Sequence, residues 1–379
     1  MIRDTTISRI TATEVIVPAK PGTLNSGSVL DTDTVFAKKL LTGNSWVDFA
    51  NQPKWIIQIW LANGLVGIGE TYRNAKELPL KAGLNQLAGK DVMNLNWRKL
   101  PIENLRIYEA FETAILDVAG KYLGVPICQL LGGANRDRIE CMGWTGRRTP
   151  KDAASKAFEA MKKGHKVFKF KCSNDDPVRM WLEKIKQKCG TGIKIVLDPN
   201  QRWKDISTTL KMMEGVDTQQ IFCLEDPILH EDFEGYKVLR KSLGVPIFRH
   251  ISLPYDQDIR DIFSLIKLDA VDGYNFNGPA FNSILLAEIA NLQGKGCWRG
   301  SEVDLGISET MAMHIARASP GCSLPSDIFG ELVRVDDLIE TPISFENGFA
   351  IPPQGDGLGT NLDLVALERY GTGKIINTN

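Results

Sequence analysis

Residues 166–171 read KVFKFK, and the two lysines that close the run, Lys169 and Lys171, stand two positions apart. In a β-strand, side chains separated by two point to the same face. Two ammonium groups would then sit side by side on a segment whose other residues, Val167, Phe168 and Phe170, are apolar enough to be buried. Crowding and poor solvation lower an ammonium's pKa, and a lysine so placed becomes a usable base near neutral pH. An edge strand with a solvated charged face has the same pattern, so the neighbouring stretches decide.

Outward from this run, strand-like apolar stretches end in IKIVLDPN, IFCLEDP, VPIFRH and VDGYNFN, with Asp198, Glu225, His250 and Asn275 as their last polar residues. From Lys171 these fall at intervals of 27, 27, 25 and 25 residues, and 27 residues before Lys171 stands Trp144, closing IECMGW. Segments of helical periodicity, such as DAASKAFEAMKKG and NSILLAEIANLQGKG, lie between the runs. A strand–helix unit repeated at this interval predicts a parallel (β/α)7–8 barrel of the TIM type. In that architecture the C-terminal strand ends converge. Lys169, Lys171, Asp198, Glu225, His250 and Asn275 are expected to share one mouth.

Before the barrel, residues 7–20 (ISRITATEVIVPAK) alternate as a strand does, and 54–73 (KWIIQIWLANGLVGIGETYR) read as a hairpin around Ala-Asn-Gly. From Pro21 to Gln52 the chain is rich in Gly, Ser, Thr, Asn and Asp without periodicity, as functional or disordered loops are. Helical patterns follow at about 76–90 and 105–123. Strands followed by helices predict a separate α+β domain. The 379 residues, 43% hydrophobic and 24% charged, suffice for two domains of a soluble protein. A formal net charge of −1 gives no global field to attract nucleic acid or a membrane. The seven cysteines, at 128, 141, 172, 189, 223, 297 and 322, show no CxxC or zinc-like spacing and predict buried thiols in a reducing compartment. Neither a leader-like apolar region nor a membrane-length apolar stretch is present, so a cytoplasmic protein is expected.

The stretch YEAFETAILDVAGKYLGVPICQLLGG, residues 108–133, resembles the helix joining the two domains in the mandelate racemase and muconate lactonizing enzyme branch of the enolase superfamily. GLVGIGE is similar to that family's capping-domain strand pair, KFK to its K-x-K, and LDPNQ and LEDP to its third- and fourth-strand metal-ligand motifs. The tail ENGFAIPPQGDGLGTNLD (346–363) resembles the segment that returns to the capping domain. The resemblance covers nearly the whole chain. It implies a capping domain over 1–125, a barrel over 126–345 and a returning segment over 346–379. Implied as well are proton abstraction next to a carboxylate, a small-molecule carboxylate substrate, a homo-oligomer, and Mg²⁺ as cofactor, with Mn²⁺ as an alternative. Lys171 becomes the expected base and Lys169 the partner of the substrate carboxylate. Asp198 and Glu225 are hard oxygen ligands suited to the ion, and Asn200 stands close to metal and substrate.

Three departures bear on the reaction. The family's third ligand is acidic, in a pattern P-x-x-x-[GD]-E, whereas Pro246–Ile251 puts Ile251 at the acidic position and His250 one before it. A one-residue offset flips faces, so His250 is expected to need a bulge or local shift to point inward; a site of two carboxylates and an imidazole would suit Mn²⁺ or another transition ion. Asn275 replaces the sixth-strand acid/base residue. The seventh-strand stretch CWRGSEVDLG carries Arg299, Glu302 and Asp304 but no histidine, and from the four histidines of the chain (165, 230, 250 and 314) no His–Asp dyad is expected. A one-base reaction follows, with elimination of water from a sugar acid or related hydroxy acid favoured over racemisation, which needs groups on both faces. Epimerisation or cycloisomerisation stays open if Glu302 or Asp304 works from the opposite face, and loss of the third ligand leaves open a non-catalytic binding protein. Arg299 is expected to hold a distal carboxylate or pair with an acid, and Asp327 to face the substrate or to cap a helix. The loop 21–52 is expected to close over the mouth.

Overall fold

The computed structural model describes residues 4–25, 51–255 and 257–378. Its strands are β1 (Ile7–Val15), β2 (Lys54–Leu61), β3 (Val66–Glu70), β4 (Ile139–Glu140), β5 (Gly143–Thr145), β6 (Val167–Lys171), β7 (Lys194–Asp198), β8 (Ile221–Glu225), β9 (Ile247–Ser252), β10 (Gly273–Asn277), β11 (Gly296–Arg299), β12 (Ser344–Glu346), β13 (Phe349–Ile351) and β14 (Gly371–Asn377). They form a four-stranded sheet ordered β14-β1-β2-β3, a seven-stranded sheet running from β5 to β11 in sequence order, and a small sheet β12-β13-β4. The first is antiparallel and takes its outer strand from the C-terminal tail. The second is parallel throughout.

Helices alternate with the parallel strands, which is why the sheet curls. The segment 324–327 completes the curl. Leu324 and Asp327 donate backbone N–H groups to Cys297 and Arg299 of β11, while Ser326 donates to Glu140 and its carbonyl accepts from Met142. The run IECMGW, expected as one strand, is divided: Ile139 and Glu140 pair antiparallel with β13, and Gly143–Thr145 join the barrel beside β6. The seven cysteines are buried free thiols. Among the described residues no helix is long and apolar enough to cross a membrane. Residues 26–50, most of the long irregular loop, lie outside the described residues. Its beginning is docked on the end of β5, where Arg148 donates to the carbonyls of Gly22 and Thr23 and Gly146 N–H to that of Leu24.

The N-terminal sheet packs on the helix Leu105–Leu123, which runs from an Asn104 cap to Gly124 in the left-handed region at φ +71. Contact is close because β3 carries Gly67 and Gly69. A methyl group on either would fall on a helix carbonyl oxygen, that of Ala114 for Gly67 and of Ala110 for Gly69. Replacing Gly69 by alanine is therefore expected to cost about 1–3 kcal/mol or more in urea denaturation, since neither backbone can retreat from a packed core.

The same helix reaches the barrel through Glu112, whose carboxylate accepts the Ala280 N–H (2.6 Å) at the start of the helix Ala280–Leu292. Burial raises this carboxyl to about 8, against the pull of its backbone hydrogen bonds. The folded chain thus keeps a proton that an unfolded glutamate releases near pH 4.3. Its contribution is complete below that pH and is lost as pH rises through about 8. Glu112→Gln is expected to remove this slope, at most about 1.4 kcal/mol per pH unit, so that wild type and variant diverge between pH 5 and 8 in the variant's favour.

Candidate active site

Strand parity builds the site. Met142, Val167, Val196, Cys223, Phe248 and Trp298 form a buried cluster inside the curled sheet. Residues two further along each strand share that face: Lys169, Asp198, Glu225 and His250, with Lys171 one step beyond Lys169. The register sets Lys169 opposite Val196 and Lys171 opposite Asp198, Glu225 opposite Phe248, and His250 opposite Asn275, itself opposite Trp298.

His250 needs no bulge. The register of β9 on β10 is unbroken from Phe248 to Ser252, and Ile251 turns outward into the helix-facing core. The inward residue of this strand is the one before the pattern's acidic position, so the expected distortion is absent.

The two lysines are surrounded by acids. Lys169 Nζ lies 2.7 Å from Glu225 Oε2, 2.8 Å from Asp327 Oδ2 and 3.0 Å from Asp198 Oδ2. Lys171 Nζ lies 2.5 Å from the same Asp198 oxygen. Burial alone would push the Lys169 ammonium down, but Asp198, Asp327 and Glu225 outweigh it and hold it well above the usual lysine value. The depressed pKa expected of crowded cations is thus reversed at Lys169, because counter-charges outnumber the cations. The surplus negative charge falls on Glu225, pushed up to about 8 by burial and then by Asp198. Asp198 is held below its usual range by the two lysines in spite of burial.

Asn275 donates Nδ2 to Glu225 Oε1 (2.8 Å), and its own oxygen is buried without a partner. Asn200, at φ +46, donates its backbone N–H to Asp198 Oδ1 (3.0 Å). Asp327 reaches the centre and caps no helix; its Oδ1 is buried without a hydrogen bond. His250 donates its backbone N–H to Asp226 Oδ1 (2.9 Å), sets Nε2 2.9 Å from Asn277 Oδ1, and turns Nδ1 toward Glu225 Oε1 at 3.6 Å. Burial and then the two lysines push its imidazole down to about 3, against Asp226 and Asp198, which leaves it neutral.

The seventh-strand residues have other work. Arg299 faces away from the interior, ion-paired with Glu109 of the helix Leu105–Leu123 and donating to Ser283 Oγ (3.1 Å). Asp304 is 2.6 Å from Lys54 Nζ of β2, which also holds Glu70 at 2.5 Å. Glu302 accepts from Arg73 (2.5 Å) and from the Tyr255 hydroxyl (2.8 Å). Of the two roles expected of Arg299, a distal carboxylate or an acid partner, the structure has the pair with an acid, Glu109; Asp304, considered for work from the opposite face, is ion-paired with Lys54, and both pairs latch the N-terminal sheet and its helix to the barrel. Glu302 stands at the edge of the mouth, engaged by Arg73. Glu70 completes the latch by accepting the N–H groups of Leu305 and Ser308 at the start of the helix Gly306–Ala318.

Three features went unread in the sequence. Asn277 follows Asn275 by two in YNFN, and the alternation that singled out the lysines would have found it. Asp226 and His230 form a pair (2.7 Å) in the loop after β8, a histidine–aspartate contact away from the strands where a dyad was sought. Arg73 and Tyr255 carried no signal, since each is defined by a partner more than 45 residues away.

As the side chains stand, no three His, Cys, Asp or Glu groups among the described residues converge to hold an ion, and the Lys169 ammonium lies between the acids. The donor set nevertheless fits a divalent metal. Asp198 and Glu225 supply hard oxygens, neutral His250 supplies a bare nitrogen, and the three project from consecutive strands into one interior. His250 Nδ1 faces Glu225 Oε1 at 3.6 Å, on the side where such an ion would sit.

A parallel barrel with an antiparallel cap sheet and a lysine–carboxylate centre at its strand ends has the architecture of the barrel enzymes whose sites lie at that face. A sequence profile described as "Enolase C-terminal domain-like" matches residues 152–366. The chain belongs to the enolase superfamily, in its mandelate racemase and muconate lactonizing enzyme branch, whose members bind a divalent metal, usually Mg²⁺. Among curated relatives, the N-succinyl-L-Arg/Lys racemase of Bacillus cereus is 25% identical over 72% of this chain and 78% of its own. A chloromuconate cycloisomerase of Pseudomonas putida is 26% identical, covering 86% and 93%. A probable glucarate dehydratase of Streptomyces coelicolor is 26% identical, covering 96% and 90%. The crystal structure of the Bacillus cereus racemase superposes with a TM-score of 0.83 at 20% identity, covering 99% of this chain and 100% of that one. Muconate lactonizing enzyme from Pseudomonas putida gives 0.77 at 24%, covering 96% and 99%. These structural likenesses are of fold.

Proposed function

We propose that this chain is a divalent-metal-dependent lyase that removes the proton next to a carboxylate and eliminates water from a sugar acid or related hydroxy acid. The observation that carries the reading is one-sidedness. Lys171 stands at the mouth, while the groups available for the opposite face are an asparagine, Asn275, and two carboxylates engaged by Arg73 and Lys54. Racemisation needs an acid and a base across the carbon; elimination can run on one.

In this reading Lys171 Nζ takes the α-proton, the β-hydroxyl leaves with a proton returned from the same lysine, and the enol so formed becomes a 2-keto acid. Lys169, held as an ammonium, stays a fixed positive charge for the substrate carboxylate. Asp198, Glu225 and His250 would hold Mg²⁺ or Mn²⁺, which when bound would offset the second negative charge that develops on that carboxylate. Asn200 orients Asp198 through its backbone, and Asn275 orients Glu225.

Acid sugars screened with Mg²⁺ and then Mn²⁺ for 2-keto acid formation test the reading. Keto acid from one group of stereoisomers supports it. A second reading, cycloisomerisation or epimerisation of a carboxylate, has the support of the racemase and cycloisomerase relatives; an isomer formed without loss of water would replace the first reading by it. No turnover together with no metal affinity would favour a binding protein.

A further inference from the structure

The His250 ring is held by a chain of groups that ends in the N-terminal part of the molecule. Its Nε2 lies 2.9 Å from Asn277 Oδ1, and Asn277 Nδ2 donates to Glu302 Oε1 at 3.4 Å. Glu302 is kept as an acceptor by Arg73 and Tyr255 on its other oxygen. With the amide nitrogen committed to Glu302, the amide oxygen faces His250, so Nε2 carries the ring proton. Nδ1 is then bare and faces Glu225 Oε1. Gly300 gives the amides their space, since a methyl group there would fall on the side-chain oxygens of both Asn277 and Asn275.

We propose that Asn277 and Glu302 are positioning residues that lock His250 in the Nε2–H tautomer, so that the Asp198–Glu225–His250 set takes a transition ion such as Mn²⁺ or Co²⁺ in preference to Mg²⁺. The proposal rests on the metal reading above. An imidazole nitrogen is a softer donor than the carboxylate it replaces, and the partner on a ligating histidine's far nitrogen fixes the ring's orientation and tautomer. Arg73, at the far end of the chain of contacts, makes docking of the N-terminal sheet part of the same device.

The test uses the metal-stripped full chain, titrated separately with Mn²⁺ and Mg²⁺ by calorimetry, with pulsed electron paramagnetic resonance to detect a nitrogen nucleus coupled to bound Mn²⁺. Wild type should bind Mn²⁺ more tightly than Mg²⁺ and show nitrogen coupling that His250→Ala abolishes. Asn277→Leu and Glu302→Gln should each weaken Mn²⁺ about 10- to 100-fold, with a smaller loss for Mg²⁺. Asn277→Asp, which keeps an oxygen toward Nε2, should retain the coupling; it and Glu302→Gln decide the matter if Asn277→Leu does not fold. Mn²⁺ bound without nitrogen coupling, equal affinity for the two ions, or positioning variants that bind as wild type does would overturn the proposal and leave the metal reading standing. No binding of either ion at millimolar concentration would overturn the metal reading itself.

Discussion

Lys171→Ala is expected to lower kcat/KM for 2-keto acid formation by about 10²- to 10⁴-fold, the usual worth of a positioned general base. Folding should be little affected, because Lys171 lies at the rim and Asp198 keeps Lys169 as a counter-charge. Exchange of the substrate's α-proton with solvent deuterium separates the base from a binding role. If Lys171 is the base, exchange and turnover fall together, whereas a purely binding lysine would raise KM and leave exchange at saturation intact. Full exchange in the variant would move the base elsewhere and reopen Glu302, whose engagement by Arg73 argues against it here.

Lys169→Met is expected to cost about 3–5 kcal/mol by urea denaturation at pH 8, the range for removing one partner of a buried ion pair. Three buried carboxylates would lose their shared cation and keep only Lys171, which contacts Asp198 alone among them. They can relieve the loss by taking up protons, so the effect should shrink on going to pH 5. A loss below about 1 kcal/mol, the level of an exposed pair, would mean that the acids are hydrated rather than held by Lys169.

Much of this arrangement was legible in the chain because it is periodic. The spacing from Lys171 through Asp198 and Glu225 to His250 and Asn275 brought these residues to one mouth, since strand–helix units of similar length put equivalent positions near the same end of the barrel. Asn277 lay in the same alternation and could have been read with them. The facing of Ile251 and His250 was misjudged because a family pattern was counted instead of the parity of Phe248, which fixes the inward residues of β9.

Sequence alone determined the barrel, the hairpin and the inward lysines and acids, because each follows from local periodicity or from contacts within one repeat unit. Only the tertiary structure decided what charge those groups carry and which of them are at liberty to react. Lys169 reads as a crowded cation until Asp327, 158 residues away, arrives beside it. Arg299, Asp304 and Glu302 read as mouth residues until Glu109, Lys54 and Arg73 claim them from the other part of the molecule. Protonation and availability depend on the sum of all charges and on solvent around a point in space. No property of the chain order supplies that sum.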